Sequence, residues 1–280
     1  MVRMANSSFF MQVRPERAVL SLAGPEAESF LHNLVTTDML DLAEGEARYG
    51  GLLTPQGKIL FDFFMLKTAE GYLLDCAASQ RGDLMKRLTF YRLRAKVTFT
   101  ERDDLEVGVA AAQPAGAMAY ADPRTALIGW RLIAAKGTLP PGSGYDEARI
   151  ALGLADTDGD IGSGLLFPHE ANFDQCGAVS FTKGCYIGQE VVSRMEHRAT
   201  ARSRILPVQF DGAAALRDAA IKSGEKIIGS VLSSAGNMGL ALLRLDRLGE
   251  AEEPLLTEGV RTTVQTPPWI KYGIISRGHA

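Results

Sequence analysis

Thr182-Lys183-Gly184-Cys185-Tyr186-Ile187-Gly188-Gln189-Glu190-Val191-Val192-Ser193-Arg194 sets a thiol between two glycines and beside a cation. Val191, Val192 and Met195 give a helical spacing that begins at about Ile187, so Cys185 lies just ahead of a helix N-terminus. A neighbouring ammonium and the positive end of a helix both favour a thiolate, and glycine allows close approach of backbone or ligand. The competing reading is a small structural cysteine buried at a tight turn.

Upstream, residues 17–22 read as a strand, and Gly24-Pro25 opens a helix with Ala27, Phe30, Leu31 and Leu34 at helical spacing. Strand-like runs at 49–53, 58–66 and 72–76 are separated by Thr54-Pro55-Gln56-Gly57 and Glu70-Gly71, the pattern of an antiparallel meander. A helix at 80–88 and a strand at 95–101 follow. Pro114, Pro123, Pro140 and Pro141 then break up the middle, around a strand at 127–133 and a helix at 145–152. From Ser203 the chain changes to short apolar runs punctuated by Gly224, Gly229, Gly236 and Gly239, which predicts a mostly β domain. The whole reads as α+β.

The 280 residues carry 30 Lys and Arg against 33 Asp and Glu, a net charge of -3 that gives no field for polyanions, so nucleic acid is not an expected partner. No apolar run approaches the ~18 residues of a spanning helix, and residues 1–13 lack the apolar core of an export signal. The sequence therefore predicts a cytoplasmic protein without a membrane partner. Cys76, Cys176 and Cys185 are an odd and scattered set, which predicts reduced thiols rather than a disulfide frame. A resident iron-sulfur cluster, usually held by four thiolates, is not expected either. Asp156, Asp158 and Asp160 begin like a calcium loop, but Ile161 replaces the turn glycine and Phe167 the bidentate acid. His32, His169, His197 and His279 show no paired ligand spacing, so no metal is expected.

The run from Lys183 to Glu190 resembles the signature of the YgfZ-type folate-binding proteins, relatives of the glycine-cleavage T-protein (GcvT, an aminomethyltransferase). Phe30-Leu31-His32-Asn33-Leu34-Val35-Thr36-Thr37-Asp38 and Leu53-Thr54-Pro55-Gln56-Gly57-Lys58-Ile59-Leu60-Phe61-Asp62 resemble earlier segments of that family. Phe167-Pro168-His169-Glu170-Ala171-Asn172-Phe173 and Gly239-Leu240-Ala241-Leu242-Leu243-Arg244 resemble later ones. The resemblance implies a three-domain ring: a discontinuous folate-binding domain (1–48 and 116–202), a ferredoxin-like domain (49–115) and a C-terminal β-barrel (203–280). It also implies tetrahydrofolate or a one-carbon derivative as ligand, and a role in assembly or repair of iron-sulfur enzymes, with assembly proteins or client enzymes as partners.

Under that resemblance Cys185 is the functional thiol. Asp62, Glu170, Lys183, Gly184, Tyr186, Gly188, Gln189, Glu190 and Arg194 are the residues expected at the folate. Asp62 sits in an apolar row, alternating with Leu60 and Phe64, where a carboxylate must be paired, hydrogen-bonded or raised in pKa. T-proteins carry paired aspartates in this hairpin, one of them catalytic, whereas Phe61 precedes Asp62 here. Ala151 stands where the T-protein pattern has a pterin-binding glutamate. Both departures weigh against the alternative, a folate-dependent aminomethyltransferase acting through Asp62. Arg194, His197, Arg198, Arg202 and Arg204 form a basic stretch suited to a folate tail or an acidic partner, or to a solvated face.

Overall fold

The computed structural model describes residues 11–115, 118–197 and 201–273. Strands β1 (Gln12–Val13) and β2 (Arg17–Ala23) lead to helix α1 (Ala27–Leu34), followed by β3 (Ala47–Leu53), β4 (Ile59–Thr68) and β5 (Gly71–Ala77). Helix α2 (Arg81–Arg92), β6 (Thr98–Glu101), β7 (Leu105–Ala110), β8 (Met118–Ala121), β9 (Trp130–Ala135) and α3 (Tyr145–Ala151) come next. A long stretch of turns then reaches α4 (Gln189–His197). The last unit comprises β10 (Ser203–Phe210), β11 (Ala220–Ser223), β12 (Lys226–Ala235), β13 (Met238–Arg244), α5 (Leu245–Gly249), β14 (Leu255–Thr257) and β15 (Val260–Val264).

The first sheet is antiparallel in the order β3-β4-β5-β2-β6. Helix α1 buries Ala27, Phe30, Leu31 and Leu34, one face at helical spacing, and α2 buries Leu84 and Leu88. Both cover the sheet face that carries Leu20, Leu22, Phe63, Met65 and Leu74. The opposite face, with Val19, Tyr49, Phe64 and Leu73, packs on Val107, Tyr120 and Ile133 of a second sheet, ordered β1-β7-β9-β8. The same core reaches Ile205 and Leu240 in the last unit.

Two expectations need correction. Alternation along β4 holds for Phe61, Phe63 and Met65, but Ile59 joins the opposite core and Leu60 packs with the helices. A register shift between Leu52 and Leu53 reverses the pleat at that point. The cut between residues 48 and 49 falls inside β3, and β2 lies between β5 and β6 with Arg17 to Ala23 paired to β5. A hydrogen-bonded sheet cannot divide there. The cut at 115 likewise separates β7 from β9, its neighbour in the second sheet.

The last unit is a closed barrel, β10-β13-β12-β11-β14-β15, with β15 returning to β10 where Val264 faces Val208. Leu206, Val208, Phe210, Ile221, Val231 and Leu243 fill it. No helix among the described residues is long and apolar enough to cross a membrane.

Candidate functional site

The segment before the thiol is laced to the exit of α1. Ser180 N donates to Thr36 O (2.9 Å), and Thr36 Oγ1 donates to Ala178 O (2.6 Å) while accepting from Gly51 N (2.9 Å). Lys183 completes the lacing: its Nζ donates to Val35 O (2.7 Å), to Thr37 O (3.0 Å) and to His32 O. These carbonyls face outward where the helix ends, a place that favours a cation. Burial pushes the Lys183 ammonium down to about 8, against a counter-pull from Asp38.

After the thiol, Tyr186 is buried, with its ring 5.3 Å from Lys183 Nζ, and burial pushes its hydroxyl up to about 12. The chain then crosses the β3–β4 hairpin tip at Gly188. Its φ is +80°, and a Cβ there would stand 2.7 Å from Thr54 O and 3.0 Å from the Gly57 Cα. Gly57, also at φ +80°, would put a Cβ 2.8 Å from the Val191 Cβ. Two glycines in contact are what let the hairpin and the start of α4 touch.

Between these anchors, Gly184 and Cys185 are exposed, whereas Cys76 is buried and Cys176 half-buried. Burial pushes each of the latter two thiols up to about 12. The helix starts at Gln189, four positions past Cys185 rather than at Ile187, and the Lys183 ammonium is spent on carbonyls. Exposure and anchoring, rather than an adjacent cation, distinguish this thiol.

Asp62 is elsewhere and of another kind. It is 3% exposed; Tyr49 Oη donates to its Oδ2 (2.8 Å) and Thr157 Oγ1 to its Oδ1 (2.9 Å). Burial pushes this carboxyl up, with Arg17 and the Tyr49 bond pulling back. Glu170 turns back to accept from Phe167 N (2.9 Å), Glu190 pairs with Arg194 on the exposed side of α4 (2.7 Å), and Gln189 begins that helix. Ala151 is exposed at the end of α3. Lys183, Tyr186 and Gly188 therefore belong to the framework of the loop, while Asp62 lies apart from it in the core between Tyr49 and Thr157. Of the basic stretch, Arg204 is withdrawn, buried against Asp174 (2.5 Å). Arg198 and His279 lie outside the described residues.

Sequence reading missed a buried charge network at the centre. Asp75, fully buried, accepts from Arg17 Nε (2.7 Å) and Arg131 Nε (2.8 Å), and Asp122 accepts from Arg124 (2.8 Å). The Phe64 ring lies under Arg131 at 3.9 Å and Arg124 at 4.9 Å. A cleft of about 240 Å³ opens beside it, lined by Arg14, Arg17, Asp146, Arg149, Asp156 and Thr157. Burial works against ionisation of Asp156, yet Arg17 and Arg149 hold its carboxyl well below the usual range. The only sequence signal was arginines inside strand-like runs.

Known proteins match this architecture. Residues 16–116 match the GCVT N-terminal domain, and residues 202–272 match the CAF17 C-terminal beta-barrel domain. The chain is similar to the mitochondrial iron-sulfur cluster assembly factor IBA57 of Homo sapiens, 32% identical over 90% of this chain and 83% of that protein. The Mus musculus factor is 31% identical with the same coverage, and the homolog from Coccidioides immitis is 28% identical over 94% of this chain and 83% of its own length. The glycine cleavage system aminomethyltransferase T from Bartonella henselae superposes with a TM-score of 0.74, covering 94% of this chain and 86% of that one, at 14% identity. That likeness shows the fold: α+β with a C-terminal barrel. The relatives' names are those of mitochondrial proteins, which overturns the expected cytoplasmic location.

Proposed function

Because this chain belongs to the IBA57 family of iron-sulfur cluster assembly factors, we propose that it serves in iron-sulfur cluster assembly and that Cys185 is its working thiol. The observation that carries the reading is the contrast among the three cysteines, with Cys185 alone exposed and set between two buried anchors, Lys183 and Tyr186. A thiol so placed reaches a partner's cluster or sulfur while its backbone stays fixed. Other ligands of a cluster in transit would come from the partner, since the remaining cysteines are withdrawn from solvent. The test is rescue of iron-sulfur enzyme activity in cells lacking the protein: Cys185→Ser fails and Cys176→Ser succeeds. Full rescue by Cys185→Ser overturns the assignment.

Reduced folate is a separate proposal, supported by the resemblance of the motif and by the shared fold. Of the side chains expected to hold it, Asp62, Glu170 and Lys183 are hydrogen-bonded within the chain. Titration calorimetry with tetrahydrofolate under reducing conditions decides: saturable heat supports the ligand, and a flat titration removes it. Aminomethyl transfer through Asp62 is the weaker reading, because that acid is enclosed by Tyr49 and Thr157.

A further inference from the structure

Near the thiol loop, two segments meet at a corner the preceding reading does not use. His169 comes from the turn that follows Phe167, Asp174 lies five positions on, and Glu196 belongs to the last turn of α4. His169 Nε2 stands 2.9 Å from Glu196 Oε2, and one ligand atom from each of the three residues lies within 4.8 Å of the others. We propose that His169, Asp174 and Glu196 hold a divalent first-row transition-metal ion.

Three features support a built site. The imidazole and the Asp174 carboxylate are almost withdrawn from solvent, at 2% and 5% exposure, while Glu196 at 44% leaves a way in. Arg204 braces the inner ligand: it donates to Asp174 Oδ1 (2.5 Å) and to His169 O (2.6 Å), and Tyr272 stacks 4.4 Å beneath it. Such outer contacts orient metal ligands, and each Asp174 oxygen keeps a free lone pair, Oδ2 accepting a single bond from Gln175 Nε2 (2.6 Å). Two carboxylates against one guanidinium leave a negative corner, and Glu196 sits at the end of α4 where a helix itself disfavours an anion, a conflict that a cation relieves.

One imidazole and two carboxylates form a mixed nitrogen and oxygen donor set that suits Fe²⁺, Mn²⁺ or Zn²⁺ better than the thiolate-seeking ions. The absence of a histidine motif in the sequence does not bear on this site, because its ligands come from separate segments.

The test uses the full chain, stripped with chelator and kept reduced, titrated with Zn²⁺ by calorimetry and with Co²⁺ by visible absorption. Wild type and Cys185→Ser are expected to take up one equivalent. Glu196→Gln, a half-exposed change compatible with folding, weakens binding by about tenfold or more and shifts the Co²⁺ band. No saturable binding by wild type, loss of binding in Cys185→Ser, or unchanged binding in Glu196→Gln overturns the proposal. None of these outcomes touches the Cys185 assignment, which the rescue assay reads independently.

Discussion

The loop at Cys185 and the strand at Asp62 treat a reactive side chain in opposite ways. The loop fixes its backbone through neighbours, Lys183 on one side and Tyr186 with Gly188 on the other, and leaves the sulfur in solvent. The strand fixes the side chain itself, with two hydroxyls on the two carboxylate oxygens of a buried acid. A group meant to meet a large partner must project, whereas a group that braces a core must be satisfied where it stands. On the proposed reading, chemistry belongs to the loop and architecture to the strand.

The sharpest way to break this comparison is the thiol. Cys185→Ser should lower rescue of iron-sulfur enzyme activity about tenfold or more, with an unchanged unfolding midpoint, because no packing is lost. A stability loss without a functional one would reverse the two roles. Next comes the joint beneath it. Gly188→Ala forces a Cβ against Thr54 O at positive φ and should lower stability by about 2–4 kcal/mol in urea unfolding. Gly184→Ala, where nothing lies within 4 Å of a Cβ, should stay within about 0.5 kcal/mol.

Lys183→Met removes three carbonyl bonds and should destabilise by about 1–3 kcal/mol near pH 7. Its pH signature is separate. The unfolded lysine holds its proton to about 10.5 and the folded one to about 8, so between those values the unfolded chain binds more protons. Wild-type stability gains from this residue as pH rises through that window, and the variant lacks the gain. A small effect of opposite sign belongs to Asp62→Asn. The folded acid holds its proton more tightly than the unfolded one, so its contribution declines as pH rises through the carboxylate range toward the folded value. The amide mimics the protonated acid and should be neutral or stabilising by up to about 1 kcal/mol at pH 7, with a flatter profile in chemical unfolding between pH 4 and 7.

Elements governed by local pattern were legible from residues alone. The spacing of Phe30, Leu31 and Leu34 marked α1, and Thr54-Pro55-Gln56-Gly57 marked the tip of the β3–β4 hairpin. Pairings over distance were not. The return of β2 into the middle of a sheet is a choice among partners, which no strand-like run encodes by itself. The motif announced Cys185, yet its supposed activator turned out to be a helix cap, because the identity of Lys183 carries no direction for its Nζ. The arginine network and the His169 corner were invisible for the same reason: Arg17 meets Asp75 across 58 positions and His169 meets Glu196 across 27.

The contact between Gly57 and Gly188 also limits what can be moved. The octapeptide around the thiol is one half of a mortise whose other half is cut into a hairpin well over a hundred residues earlier. Grafted alone onto another scaffold, it would carry its sulfur but lose the aim that scaffold gives it. An engineer who wants this thiol elsewhere must transplant both strips of chain together.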